Sequence, residues 1–197
     1  MGKQLSPDGQ RSVAAIDRID RLSMIQSLLT ENNGLDLDTP MIPSAPQEIE
    51  QIRTVVESVT GFHPERLDTF HETAEGLPSP IDADSTEILK AAVTVERYLR
   101  QNTEKAVSDV EFVRCASRNL LRTDGACLDA TFPDVERISL VGISSLPAAH
   151  ADLLHAILET TQVPVHTHLR RGTESYLSRR LPDLLNITKP GTVVFDS

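Results

Sequence analysis

The chain has 197 residues, of which 39% are hydrophobic and 24% charged, a composition typical of one ordinary globular domain or two small lobes. It has no run of about 18 apolar residues and no apolar segment in residues 1–10, which excludes a membrane-spanning helix and a secretory signal. We therefore expect a cytoplasmic protein without membrane contact.

The charge of the chain is strongly acidic. Asp and Glu number 29 against 19 Lys and Arg, which gives a net charge of −10, and only four of the basic residues are lysines. This balance is typical of proteins from salt-loving archaea, whose acidic surfaces keep them soluble, and we predict a halophilic protein. Net acidity does not exclude nucleic-acid binding, because phosphate contacts depend on a local basic patch. Cys115 and Cys127 have no spacing that indicates a disulfide framework or a zinc site.

Residues 1–125 form a predicted helical region with four main helices. The first helix is predicted to begin at Ser6–Pro7 and to end at Asn33–Gly34. The second is predicted to begin with a capping box at 44–47 and to end at Gly61. Its apolar residues are predicted to point inward; they are Ile49, Ile52, Val55, Val56 and Val59.

Three prolines interrupt the stretch that follows, so we predict a short helix at most and a flexible loop at about 62–84. Two further helices are predicted at about 85–101 and 108–122, the latter opened by a capping box from Ser108 to Glu111. Gly125 ends the helical region.

Residues 126–197 form a predicted α/β region. Short apolar runs predict buried parallel strands at 138–143, 163–169 and 192–195. Helices are predicted between them, at 147–161 and 173–185. Right-handed crossovers then give a small three-stranded parallel sheet (βαβαβ) with flanking helices, on which the helical region packs. The fold class is α/β. So small a sheet leaves edges, so we expect it to rest on the helical region, on further chain or on a partner.

Basic residues follow the second predicted strand, at the carboxyl edge of the sheet, where open α/β folds bind ligands. The predicted nucleic-acid or anion-binding residues are Arg170, Arg171, Thr173, Arg179 and Arg180. The alternative is that the arginines pair with neighbouring acids such as Glu174 and Asp183.

His166 and His168 alternate on that strand, so both imidazoles project from one face, as metal ligands can. The sequence spacing does not identify any other residue as a third metal ligand. A histidine pair that is hydrogen-bonded within the fold or faces solvent is the favoured interpretation, and we expect no metal and no cofactor.

Most enzyme classes require motifs that the sequence lacks. The 197 residues contain no GxxxxGK[ST] phosphate-binding loop, no GxGxxG, no HExxH and no GxSxG. We therefore predict no catalytic residue, and a non-enzymatic role is favoured.

One string, Ile138 to Leu154 (ISLVGISSLPAAHADLL), resembles the strand and following helix of AddB-type helicase-nuclease subunits. The strand corresponds to the Walker B strand of UvrD-like superfamily 1 helicases in degenerate form. Gly142, Ile143, Leu146 and Pro147 fit the pattern, whereas Val141 stands where even the degenerate family often retains Asp. The resemblance implies that the carboxylate needed for a magnesium-bound nucleotide is missing.

The resemblance covers 85–195 and implies an inactivated helicase lobe that acts in DNA repair or recombination without catalysis. DNA, or a helicase or nuclease protein, is the implied partner. The sequence does not predict an oligomeric state. The alternative hypothesis is a small metal- or anion-dependent enzyme that uses the carboxyl ends of the sheet near His166, His168 and Arg170.

Overall fold

The computed structural model describes residues 14–31, 44–79, 81–143, 145–169 and 172. The described chain divides into two compact units, a helical unit from residue 14 to 109 and an α/β unit from 110 to 172. The boundary predicted after residue 125 falls inside the second of these. None of the described helices is long and apolar enough to cross a membrane.

The helical unit contains α1 (Arg18–Glu31), α2 (Pro46–Thr60), α3 (Pro64–Glu75) and α4 (Ile81–Gln101). Its core has two apolar clusters. One joins α1, α2 and α4 and comprises Ile25, Leu28, Ile49, Val95, Leu99 and Val107. The other joins α2, α3 and α4 and comprises Val56, Phe62, Leu67, Leu89 and Ala92. Because Ile49 packs with Leu99 and Val56 with Leu89, α2 and α4 run antiparallel.

The first helix begins later than predicted. The amide of Asp20 donates to Asp17 Oδ1 at 2.8 Å, which makes Asp17 a capping residue for a helix that starts at Arg18. Before it, Ala15 forms a parallel bridge with Ala106, so the chain is extended there. The prediction of one continuous helix from Ser6–Pro7 is therefore wrong at residues 14–17; Ser6 and Pro7 themselves lie outside the described residues.

The capping box predicted at 44–47 is wrong. Helix α2 begins with Pro46 at its first position, and no side chain caps it. At the start of α5, the hydroxyl of Ser108 donates to Glu57 Oε1 of α2 at 2.6 Å. The predicted end of α2 is confirmed, because Gly61 has a left-handed φ of 60° and its amide donates to the Glu57 carbonyl at 2.8 Å.

The stretch at about 62–84, predicted as a short helix at most and a flexible loop, contains the 12-residue helix α3 and the start of α4. Pro64 occupies the first position of α3, where its missing N–H costs no hydrogen bond. Leu67 and Ala74 are buried and fix the helix to the unit. Helix α4 then begins at Ile81, a few residues before its predicted start.

The α/β unit contains α5 (Asp109–Arg122) from its second residue onward, and with it α6 (Ala126–Thr131), β1 (Ile138–Ile143), α7 (Ala148–Thr160) and β2 (Val165–Leu169). Its core cluster joins α5, α6 and α7 and comprises Ala116, Leu120, Leu128, Ala156 and Ile157. Strands β1 and β2 pair in parallel, as predicted. The described residues thus form a mixed α/β fold that is mostly helical, with a two-stranded sheet; the predicted helix 173–185 and third strand 192–195 lie outside them.

Candidate functional site

The β1–α7–β2 segment places the predicted motif position on an open face of the sheet. In the parallel register, Ser139 lies opposite His166 and Val141 opposite His168. Because side chains alternate along a strand, these four residues share one face. All four are exposed, and the side chain of Val141 is 77% exposed. The other face points to the core, where Ile138 and Val165 pack.

A bulge follows Val141 in β1. Gly142 has a left-handed φ of 72°, and the pairing with β2 shifts between Val141 and Ile143. A bulge of this kind ends the regular ladder and redirects the chain toward α7. The position predicted as a degenerate motif therefore lies at a turn that favours glycine.

No carboxylate occupies the described carboxyl edge of β1. Val141 offers only hydrocarbon, and the next acidic residue along the chain, Asp152, is buried within α7 at 4% exposure. Among the described residues, no group of three or more His, Cys, Asp or Glu side chains is arranged to hold a metal ion. His166 and His168 lie side by side on the exposed face, as predicted, but without a described third ligand.

The basic residues predicted to bind nucleic acid or anions fall outside the described residues: Arg170, Arg171, Thr173, Arg179 and Arg180. Gly172, between two of them, is described and has a left-handed φ of 91°.

The helical unit contains a buried network of charged side chains that the sequence patterns did not predict. Arg53, on α2, is 1% exposed and lies at its centre. Its guanidinium donates to Glu50 Oε2 at 2.8 Å, to Glu96 Oε2 at 2.8 Å and to Glu57 Oε2 at 3.3 Å. One cation therefore joins three carboxylates from α2 and α4.

Two further arginines join the network. Arg21 of α1 donates to Glu50 Oε1 at 2.7 Å, and Arg100 of α4 donates to Glu96 Oε1 at 2.9 Å. These contacts bring three guanidiniums together with three carboxylates. Buried charges are tolerated when they are paired and hydrogen-bonded in this way.

The pKa of Glu50 lies below its usual range. Burial alone would raise it, but the hydrogen bond and charge of Arg53, together with those of Arg21, outweigh the loss of water. Glu50 is thus held in its charged form by the fold.

An apolar groove lies on the opposite side of α2. It has a volume of about 400 Å³ and is lined by Glu48, Gln51, Ile52, Val55, Val56, Val59, Phe70 and Ile88. These residues belong to α2, α3 and α4. The sequence patterns did not predict the groove, because they placed Val55 and Val59 in the core, whereas these side chains are 56% and 58% exposed.

Comparison with known proteins identifies the family. Residues 1–196 match the family described as "Halobacterial UvrD-like protein". The chain belongs to this family. Searches of curated proteins and of solved structures each found no significant match. Membership confirms the UvrD-like part of the predicted resemblance, and it extends to the helical unit, which the resemblance at 85–195 covered only in part.

A spacing signal for the buried network is present in this UvrD-like sequence. Glu50, Arg53 and Glu57 are separated by three and four residues, which puts them on one helical face, and Glu96 and Arg100 repeat the four-residue spacing on α4. Such pairs usually lie on solvated surfaces, so the spacing alone does not indicate burial. The contact between Arg53 and Glu96, which are 43 residues apart, is a property of the folded unit.

Acidification is expected to destabilise the helical unit through Glu50. The pKa of Glu50 is lower in the folded state than in the unfolded state. Its contribution to the free energy of unfolding is therefore fully present above the ordinary pKa of 4.5, and it is lost as the pH falls through the folded-state pKa. The glutamine variant Glu50→Gln cannot titrate. Urea unfolding across this pH range measures the free energy of unfolding of the wild type and of Glu50→Gln. The difference between the two should therefore become smaller below pH 4.5. Glu48→Gln, on the exposed face of α2, is the control and should follow the wild-type profile; a gap that stays constant would contradict the assignment.

Proposed function

We propose that this UvrD-like chain is a non-catalytic module that binds DNA, or scaffolds a helicase or nuclease partner, during DNA repair or recombination. The observation that carries the proposal is the combination of UvrD-like membership over 1–196 with a valine, Val141, where a Walker B carboxylate would stand. Phosphoryl transfer in such lobes needs a magnesium ion held by that carboxylate and a loop that cradles the phosphates. The 197 residues contain no sequence of the phosphate-loop type.

The resemblance to AddB-type subunits supports a setting at DNA ends. In that resemblance the strand keeps its place in the fold while the catalytic carboxylate is replaced, and Gly142, with its bulge, keeps the turn into α7. The module would then contribute a surface rather than a reaction. The alternative of a metal- or anion-dependent enzyme near His166, His168 and Arg170 has no specific observation in its favour among the described residues.

Nucleotide turnover tests the non-catalytic part of the proposal. Purified protein is incubated with ATP and magnesium, with and without single-stranded and branched DNA, in both low and high salt. We expect phosphate release no greater than in the protein-free control. DNA-stimulated hydrolysis that follows the protein through purification would contradict the proposal.

Charge reversal at Arg170 and Arg171 tests DNA binding. We expect Arg170→Glu/Arg171→Glu to weaken binding to fluorescent branched DNA, measured by anisotropy across a salt series, because each lost phosphate contact removes about one unit from the slope of log affinity against log salt. The matched control is Arg18→Glu/Lys105→Glu, which changes the net charge equally at two exposed positions of the helical unit. The control should retain the wild-type slope.

Equal weakening in both double variants would mean that total charge, and not a local patch, governs binding. If the wild-type protein binds no DNA and also co-purifies with no helicase or nuclease from its host, the proposed function is wrong.

A further inference from the structure

Residues 14–16, which precede α1, form a short strap that lies along residues 106–107 in the connection between α4 and α5. Ala15 forms a parallel bridge with Ala106, and the amide of Ile16 donates to the Ala106 carbonyl at 2.9 Å. The side chain of Ile16 is buried in the helical unit. An extended segment held by so few contacts opens at a low free energy.

Arg21 of α1 fastens this strap in place. Its Nη1 donates to the carbonyl of Ile16 at 2.7 Å and to the carbonyl of Val107 at 3.2 Å, so one guanidinium bonds both segments. Its Nε donates to Glu50 Oε1 of α2 at 2.7 Å. The side chain of Arg21 is 16% exposed, and hydrogen bonds in such a site meet little competition from water. Arg21 therefore ties the strap and the connection to α2.

The two arginines that bind Glu50 depend on it to different degrees. Glu50 is the only carboxylate that pairs with Arg21 within the part of the chain that the structure describes. Arg53 also pairs with Glu57 and Glu96. If Glu50 becomes neutral, Arg53 keeps two carboxylates, whereas Arg21 keeps only neutral acceptors. Hydrogen bonds between ionised groups are roughly twice as strong as neutral ones, so the contacts of Arg21 weaken first.

The charged groups around Glu50 set the pH at which it becomes neutral. Burial raises its pKa, but Arg53 and Arg21 together hold the pKa below its usual value. The charge of Glu50 therefore persists at pH 4.5 and is lost as the pH falls through the folded-state pKa. The remaining charged groups of the network are Glu57, Glu96 and Arg100, and the acidic residues at the start of α1, Asp17 and Asp20, are exposed.

We propose that Arg21 and Glu50 form a clasp that holds the strap on the connection, and that this clasp opens by itself, ahead of the core, when Glu50 becomes neutral. Opening frees the carbonyl of Ala106 and the apolar side chain of Ile16, while the two core clusters of the helical unit stay packed. The device goes beyond the proposed function and requires neither DNA nor a partner.

Residue-resolved amide hydrogen exchange of the full-length protein, measured by NMR in a urea series, tests whether the strap opens by itself. The reporter is the amide of Ile16, and the amides of Val56 and Val95 in the two core clusters are the comparison. Protection factors are compared, because the chemical exchange rate itself changes with pH. At neutral pH we expect the Ile16 protection factor to be at least about tenfold lower than those of the core, with a weaker dependence on urea, since opening the strap exposes little surface.

Removal of the guanidinium tests the role of Arg21. We expect Arg21→Met to lower the Ile16 protection factor by at least about tenfold, because the charge-assisted hydrogen bond to Glu50 is lost together with both carbonyl contacts. Arg18→Met, the same replacement at an exposed position of α1, is the matched control. It should leave the Ile16 protection factor within about twofold of the wild-type value.

Neutralisation of Glu50 tests the trigger. As the pH falls below 4.5, the wild-type protection factor of Ile16 should fall while its dependence on urea stays weak. Glu50→Gln cannot lose a charge, so its Ile16 protection factor should be low already at neutral pH and should lack this acid step. Glu48→Gln, at an exposed position of α2, is the control and should follow the wild-type profile.

Three results would overturn the proposal. A urea dependence at Ile16 as steep as that of the core amides would mean that the strap opens only with the whole unit. Equal losses of protection in Arg18→Met and Arg21→Met would remove the specific role of the clasp. The same acid step in Glu50→Gln as in the wild type would assign the trigger to another group. If Arg21→Met does not fold, the wild-type urea series and Glu50→Gln still decide the matter.

Discussion

Replacing Arg53 with methionine is expected to lower the free energy of unfolding of the helical unit by about 3–5 kcal/mol. The guanidinium is 1% exposed and joins Glu50, Glu57 and Glu96, of which Glu96 is fully buried. Methionine fills part of the volume but leaves these carboxylates in a water-poor site without their shared cation. The loss is thus mainly the cost of uncompensated buried charge.

Urea unfolding, followed by circular dichroism, measures this effect. Lys90→Met is the matched control, because Lys90 pairs with Glu87 at 2.8 Å but is 67% exposed. An exposed pair of this kind contributes about 0–1 kcal/mol. The difference between the two variants should persist in about 1 M salt, since buried pairs are screened much less than exposed ones. A loss below about 1 kcal/mol for Arg53→Met would mean that water reaches the network.

Arg53→Lys separates charge from geometry at the same position. Lysine keeps the positive charge but presents one compact ammonium group, which cannot reproduce the planar fork that reaches Glu50 and Glu96 together. We expect an intermediate loss of stability. A lysine variant as unstable as the methionine variant would show that the fork geometry, and not charge alone, satisfies the carboxylates.

The parts of the fold that were predicted correctly are those in which local pattern and tertiary burial agree. Strand β1 is a short and mostly apolar run bounded by charged and turn residues, and its predicted bounds at 138–143 are those observed. Helix α7 was also predicted correctly, because Leu154 and Ile157 recur at helical spacing in the sequence and are buried in the structure. The predicted end of α2 at Gly61 also depends only on local backbone geometry.

The predictions failed where a remote partner decides the outcome. On α2, aliphatic residues occupy more than one helical face, and the pattern cannot choose between them without knowing that Glu96 lies opposite Arg53. The groove depends further on α3, whose prolines suggested a loop, although Pro64 only begins the helix. At the sheet edge, the motif position of Val141 was predicted from sequence, but its 77% exposure and the bulge at Gly142 follow from strand pairing.

Replacing Gly125 with alanine is expected to destabilise the α/β unit by about 2–4 kcal/mol, combining backbone strain with overpacking. Gly125 is buried between α5 and α6 and has a left-handed φ of 79°. An added Cβ would overlap the carbonyl oxygen of Thr160 and lie 2.9 Å from Cγ2 of Thr161. The carbonyl is backbone at the end of α7, so it cannot rotate away as a flexible side chain would. Relief of the clash requires α7 to move against the core cluster.

Gly142→Ala separates the two causes. Gly142 has nearly the same φ, 72°, yet a Cβ added to it would meet no atom of the described residues within 4 Å beyond its own chain neighbours. Only strain of about 1–2 kcal/mol is therefore expected there. Urea unfolding of both variants then gives the steric cost at Gly125 by difference. Equal losses of unfolding free energy in the two variants would mean that the end of α7 moves away from Gly125 at little cost. A larger loss at Gly125 supports close packing of the turn after α5 against the end of α7. Because that packing also holds the helix that joins β1 to β2, Gly125 would stabilise strand β1 and its bulge from the opposite end of α7.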